Sequence, residues 1–177
     1  LKRICAATSK HIQFKIIGEH VSIPGNIHFG LKLSILHLLR NCAAHGIEPY
    51  QERNILKKRQ TGLISFQVQL IDNYYVITIQ DDGAGVNKKM IVDTAKKIAQ
   101  KDFELKTKIE YLLQREKVMS ILFLPGFSTS KIVSDLSGRG VGLDVVQRAI
   151  KKINGNIMVQ TVVNAGTKFI IKIPTKN

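Results

Sequence analysis

Carboxylates are in short supply in this chain: 13 Asp and Glu stand against 27 Lys and Arg in 177 residues, a net charge of +14. So basic a surface favours a polyanion, whether nucleic acid, an anionic membrane, a nucleotide or an acidic protein. Interleaved arginines and aromatics are absent and the lysines fall in scattered pairs, such as Lys57–Lys58 and Lys151–Lys152. That ranks nucleic acid below nucleotide. Cysteine is nearly missing. Cys5 and Cys42 give neither a disulfide framework nor a CxxC metal spacing, which fits a reducing compartment. No apolar run approaches the ~20 residues needed to span a bilayer, and no signal peptide is visible. The expectation is a cytoplasmic protein without direct membrane insertion. There is no internal repeat, no low-complexity tract and no Walker loop, since no Gly-Lys-Ser/Thr follows any glycine run.

What is present is ordinary globular material, 44% hydrophobic and 23% charged. The length suits one domain with a real core. The chain opens on Leu1 rather than Met, and the expectation is a single domain over residues 1–177 cut from a longer, multidomain protein. Residues 2–10 suit a short helix. HIQFKII, from His11 to Ile17, alternates like a strand. A helix follows with Asn26 as its N-cap and Gly46 as its end. Glu48–Lys58 reads as a polar connector with room for a turn or two of helix. Gly62–Ile71 and Tyr74–Gln80 form a hairpin around Asp72–Asn73. Residues 88–100 and 104–122 are helical in period. Leu124–Gly140 reads as a mobile loop. Val141–Ile153 is an amphipathic helix with Val141, Val145, Val146, Ala149, Ile150 and Ile153 inward. Asn156–Val162 and Thr167–Ile173 make a last hairpin. Consecutive hairpins argue against a doubly wound parallel sheet. The expected fold is an α/β (α+β) two-layer sandwich, a mixed and largely antiparallel sheet with helices on one face.

The chemistry gathers at four places. On the long helix His37, Asn41 and His45 stand four residues apart, each ~40° further round than the last, and so form one polar stripe beside an apolar one of Leu31, Ile35, Leu38 and Cys42. Amide and imidazole groups can ligate a metal or hydrogen-bond phosphate; a chance arrangement on a solvated face is an equal alternative for the stripe alone. Asp82-Gly-Ala-Gly85 closes a strand. A carboxylate there can accept from an exocyclic amine such as adenine N6, and glycines let a flat base approach the backbone, although Asp-Gly is also a common turn. Gly138-Arg-Gly-Val-Gly142 runs into a helix start, where successive N–H groups can face an anion beside Arg139; a flexible hinge is the alternative. No strand immediately precedes it, so a Rossmann reading fails. Gly166-Thr167 opens the final strand, where a Thr hydroxyl could support the Asp82 carboxylate or serve only as a residue of good β propensity.

In this order the four motifs resemble the Bergerat (GHKL) ATP-binding fold of histidine kinases, type II topoisomerases, mismatch-repair ATPases and a heat-shock chaperone. HLLRNCAAHGIEP, DDGAGV, LFLPGFSTSKIVSDLSGRGVGLDVV and GTKFIIKIP further resemble the catalytic domain of the chemotaxis-type histidine kinase CheA, from about Leu36 onward, with FLPGFST the most discriminating stretch. The resemblance implies ATP and Mg²⁺ as cofactors and transfer of the γ-phosphoryl group to a histidine on a separate domain. It implies Asn41 as the Mg²⁺ ligand, His37 as the catalytic residue, and His45 as a phosphate or metal-site contact. It implies Asp82 as the adenine reader, with Gly85 beneath the base and Thr167 assisting. It implies a lid from about Phe127 to Gly142 that places Ser128, Thr129, Gly138, Arg139, Gly140, Val141 and Gly142 near the nucleotide. The implied partners are a histidine phosphotransfer domain, a response regulator, a coupling protein and receptors. The isolated domain would be monomeric and the full-length protein homodimeric.

Two departures stand out. The family's Asn-x-x-Asp-His has become Asn41-Cys-Ala-Ala44-His45, so a carboxylate near the metal is missing, and IPGNIHFGLKLS lacks the usual acidic and basic residues. These motivate an alternative, a nucleotide-binding pseudokinase or scaffold with weak or no phosphotransfer. A DNA-dependent ATPase of the superfamily is a third reading, prompted by the charge and opposed by His37. Hydrolysing members usually carry an acidic residue on this helix to activate water, whereas a histidine stands here.

Overall fold

A computed structural model describes residues 10–100, 102–127 and 142–175. One five-stranded sheet runs in the order β1-β2-β3-β5-β4, with β1 Ile12–Ile17, β2 Gly62–Ile71, β3 Tyr74–Asp81, β4 Asn156–Val162 and β5 Gly166–Pro174. β1 runs parallel to β2, and every other pairing is antiparallel. The mixed, largely antiparallel sheet with an accompanying helical layer agrees with the sequence expectation. The β2–β3 hairpin forms because Asp72 and Asn73 both adopt positive φ, +46° and +62°, the conformation a two-residue turn needs to match strand twist.

The helical layer consists of α1 Gly25–Asn41, α2 Tyr50–Ile55, α3 Lys88–Ala99, α4 Phe103–Gln114 and α5 Leu143–Lys151, with a 3₁₀ segment at Val118–Phe123. Leu31 and Leu38 from α1, Ile91 from α3, Ile109 from α4 and Val146 and Ile150 from α5 close over Ile64, Ile77, Ile79 and Ile171 of the sheet. Asn87 and Asp102 cap α3 and α4 through their side chains.

Three local expectations differ from what forms. The long helix starts at Gly25 after Pro24, so Asn26 lies within it rather than capping it. The 104–122 segment breaks at Gln114, because Glu116 takes φ +56° and the chain resumes as the 3₁₀ segment. Val145 faces solvent; the strip that packs inward on α5 is Val146 and Ile150. The short helix expected within Glu48–Lys58 forms as α2, and it carries a buried arginine. The helix expected over residues 2–10 falls outside the described residues except for Lys10, which is non-helical.

Ile77 lies on the central strand with no exposure. Its truncation in Ile77→Ala is expected to lower the unfolding free energy by about 2–5 kcal/mol, read from the midpoint of a denaturant melt at unchanged slope.

Candidate functional site

The long helix does not end as an α-helix. Cys42–Gly46 continues it as a π-turn, with Ile47 N donating to Cys42 O at 2.8 Å. Such insertions widen the helix locally. The row of His37 and Asn41 is therefore α-helical, but His45 lies beyond the change of pitch and is exposed. The three-residue stripe expected from uniform periodicity is thus interrupted. The widened turn lets Gly46 O accept from Ala84 N at 2.9 Å. A Cβ on Gly83 would fall 2.0 Å from that same oxygen, so only glycine permits the contact.

This contact brings the loop after β3 against the helix end, and it separates two adjacent carboxylates. Side chains alternate along a strand, so Asp81 and Asp82 point to opposite sides. Asp81 is buried; its Oδ1 accepts from Gly83 N at 2.9 Å and from Thr167 N at 3.3 Å. Burial pushes its pKa above the ordinary value of 3.8, against the lowering effect of these hydrogen bonds and of one from the Cys42 thiol. Cys42 is buried, and desolvation, helped by Asp81, holds its thiol protonated. Asp82 turns the other way. Its Oδ2 pairs with Arg53 at 2.8 Å and its Oδ1 accepts from Leu63 N at 2.8 Å. Thr167 therefore supports Asp81, not Asp82 as expected from the sequence.

The glycines of this region are set by close packing. Gly166 takes φ +113°, and a Cβ there would lie 2.0 Å from Asp81 O. Gly85 takes φ +68° and presses on β4, where a Cβ would lie 2.2 Å from Val162 O. Val86 N donates to Thr161 Oγ1 at 2.8 Å, and the hydroxyls of Thr161 and Thr167 lie 3.2 Å apart. Asn164 N donates to Ala84 O at 2.7 Å. The loop is thus wedged between the π-turn and the β4–β5 hairpin.

The other end of the site is built from α1 and the start of α5. Asn41 is the last residue of α1, half-buried, and among the described residues none hydrogen-bonds its amide. His37 is half-buried. Desolvation lowers its pKa, as do the charges of Arg40 and His45, while Asp144 at the start of α5 opposes them. His45 is lowered by desolvation and then by Lys10. Both rings are accordingly neutral at pH 7. Lys10 donates to Ala43 O at 3.2 Å and Ala44 O at 2.6 Å, placing an ammonium on the carbonyls of the π-turn. Gly142 precedes α5 as its N-cap residue. Ser128, Thr129, Gly138, Arg139, Gly140 and Val141 lie outside the described residues. Among the described residues no three His, Cys, Asp or Glu side chains gather to hold a metal. An amide such as Asn41 suits Mg²⁺ only as one ligand among phosphates and waters, which is how that ion is usually held. No described helix is long and apolar enough to cross a membrane.

A sequence profile for the histidine kinase-, DNA gyrase B- and HSP90-like ATPases matches residues 30–177. The chain belongs to that ATPase family. It is 41% identical over 175 residues to the chemotaxis protein CheA of Listeria monocytogenes, covering 98% of this chain and 28% of that protein. It is 38% identical over 165 residues to the sensor histidine kinase CheAY of Helicobacter pylori, covering 93% of this chain and 20% of that protein. The chain thus spans a fifth to little over a quarter of the length of these curated relatives. Among solved structures it resembles the catalytic domain of histidine kinase ThkA, with a TM-score of 0.59, 15% identity and coverage of 98% of this chain and 84% of that one. It also resembles the mycobacterial sensor histidine kinase MprB, with a TM-score of 0.57, 19% identity and coverage of 98% and 90%. At these identities the structures attest the fold.

The raised pKa of Asp81 has a definite sign. A buried acid whose folded pKa is raised adds stability below its unfolded value, and that contribution is lost as pH rises through the folded pKa. Asp81→Asn is therefore expected to melt above the parent at pH 7, with the gap narrowing as the pH falls toward 3.8. Thermal unfolding followed across that range checks it; a variant less stable than the parent at pH 7 contradicts it.

Proposed function

We propose that this chain is the ATP–Mg²⁺-binding catalytic domain of a CheA-like histidine kinase, transferring the γ-phosphoryl of ATP to a histidine on a separate domain. The observation that carries the reading is the cradle at Asp81: a buried carboxylate fixed by two backbone N–H groups, beside Thr167 and the glycine turn, facing the end of the helix that bears His37 and Asn41. A carboxylate held in this way can accept from the exocyclic amine of adenine. We assign that role to Asp81 in place of Asp82, whose oxygens are engaged by Arg53 and Leu63 N. Thr167 would assist at the base, and Gly85 would keep the turn close.

At the phosphate end Asn41 would ligate Mg²⁺, and His45, Gly142 and the segment from Ser128 through Val141, with Thr129, Gly138, Arg139 and Gly140, would contact phosphates. Bound Mg²⁺ supplies charge neutralisation across the phosphate oxygens. His37, neutral at pH 7, retains a lone pair and can accept a proton or a hydrogen bond without adding a competing charge. With no carboxylate beside it on α1, the arrangement favours positioning for transfer over activation of bound water. Phosphotransfer and response-regulator domains, a coupling protein and receptors are the partners that this reading implies, in a cytoplasmic, dimeric full-length protein.

A second reading, a nucleotide-binding pseudokinase, has a specific observation in its favour. Lys10 caps the π-turn at Ala44, where a carboxylate is lacking. The two readings part on one experiment. A fluorescent ATP analogue is expected to bind with Mg²⁺ and to be displaced by ADP; no binding at millimolar nucleotide contradicts both. Transfer of labelled phosphate to a CheA-type acceptor domain supports the kinase. Binding without transfer, restored by Ala44→Asp, supports the pseudokinase.

A further inference from the structure

The segment between the π-turn and β2 holds the most deeply buried charge in the described structure. Arg53 of α2 is 1% exposed. Its Nη1 donates to Glu48 Oε2 and its Nη2 to Asp82 Oδ2, each at 2.8 Å, and its Nε donates to Arg59 O at 2.6 Å. Nη1 also reaches Asp82 O at 3.4 Å. Lys58 completes the group: its Nζ donates to Glu48 Oε1 at 2.6 Å and to Gly83 O at 2.9 Å. Two cations and two carboxylates thus balance, and both carbonyls flanking the Gly83 amide group are held from the same side. That amide is itself the donor that fixes Asp81 Oδ1.

We infer that Arg53 is a positioning residue for base recognition, acting with Glu48, Lys58 and Asp82 to hold the Asp82–Gly83 backbone so that Asp81 keeps its orientation. The inference rests on the nucleotide reading proposed above. Among the described residues, the hydrogen bonds of Arg53 go to Glu48, Asp82 and Arg59 and to none of His37, Asn41, His45 or Gly142. Its fork spans two carboxylates at once, which a lysine cannot do with a single ammonium. Loss of the fork leaves Glu48 paired only with Lys58 and frees the Asp82 side of the loop. The consequence falls on the adenine end alone.

That asymmetry separates positioning from general structural support. ATP and ITP carry the same triphosphate, but ITP presents a carbonyl oxygen where ATP presents the exocyclic amine. The test measures ATP and ITP affinity by competition against a fluorescent ATP analogue, for the 177-residue chain and for Arg53→Lys and Asp82→Asn. Cooperative thermal unfolding establishes that each variant folds. The parent chain is expected to prefer ATP. In Arg53→Lys the ATP affinity is expected to fall by about tenfold and that for ITP by less than about twofold, as for loss of one oriented polar contact. Asp82→Asn keeps an acceptor for Leu63 N while weakening the pair, and is expected to shift the ATP/ITP ratio in the same direction by a smaller factor. It reads the same property should Arg53→Lys fail to fold. Equal losses for both nucleotides, or an unchanged ratio in the folded variants, overturn the inference. A parent chain that binds neither nucleotide overturns the nucleotide reading and this inference with it, and is thereby distinct from a parent that binds with an unmoved ratio.

Discussion

The arrangement depends on one backbone contact, the hydrogen bond from Ala84 N to Gly46 O. It joins the end of the long helix that bears His37 and Asn41 to the turn that ends the central strand. Two local features exist to allow it. The π-turn at Cys42–Gly46 brings the carbonyl into position, and Gly83 lacks the Cβ that would collide with it. Once the two backbones touch, Asp81 lies beside Cys42 and Gly46 rather than in solvent, and Thr167 of β5 is close enough to donate. A π-turn has poorer hydrogen-bond economy than an α-turn, and Lys10 offsets part of this by satisfying the carbonyls of Ala43 and Ala44.

Two neighbouring carboxylates show how differently the fold treats the same side chain. Asp82 is compensated: a guanidinium and a backbone N–H meet its two oxygens. Asp81 has neutral donors only, and desolvation dominates its ionisation. A chain with so few acids keeps one of them buried without a cationic partner. Such a group costs stability, and the cost is understandable where a ligand supplies the missing donor. The cation that could have neutralised Asp81 is directed to its neighbour instead, and it stiffens the loop from behind.

Much of this was legible in the sequence because it rests on local rules. Strand alternation, the Asp-Asn turn and the glycine punctuation gave five strands in order, and the succession of motifs gave the family. What was not legible has a common cause: it depends on contacts between distant segments. Helical periodicity extends a stripe from His37 to His45 only if the pitch is uniform, and the π-turn that meets Ala84 through Gly46 breaks that pitch. The choice between Asp81 and Asp82 turns on which strand residue faces the helix end, a matter of register that shifts with a single residue. Spacing offered a signal here, since counting Asp-x-Gly-x-Gly from Gly83 and Gly85 begins at Asp81. Arg53 gave little sign of burial, because an arginine in a charged stretch is ordinarily solvated. Its partners Glu48 and Asp82 are 34 positions apart.

The shortage of carboxylates also acts at the phosphate end of the proposed site. Around His37 the charges of Arg40 and His45 reinforce desolvation, with Asp144 alone opposing them. Lys10 does the same at His45. A relative with aspartate at position 44 would put a negative charge into this group and draw protons toward both rings. With Ala44 the rings remain neutral and the electropositive surroundings are left for an anion to satisfy. On the proposed reading that anion is the triphosphate, whose charge would push the imidazole pKa values back upward. Protonation of His37 is then coupled to occupancy of the site rather than fixed by the protein alone. On that reading, alanine at position 44 shifts a share of the electrostatic work from the protein to its ligand.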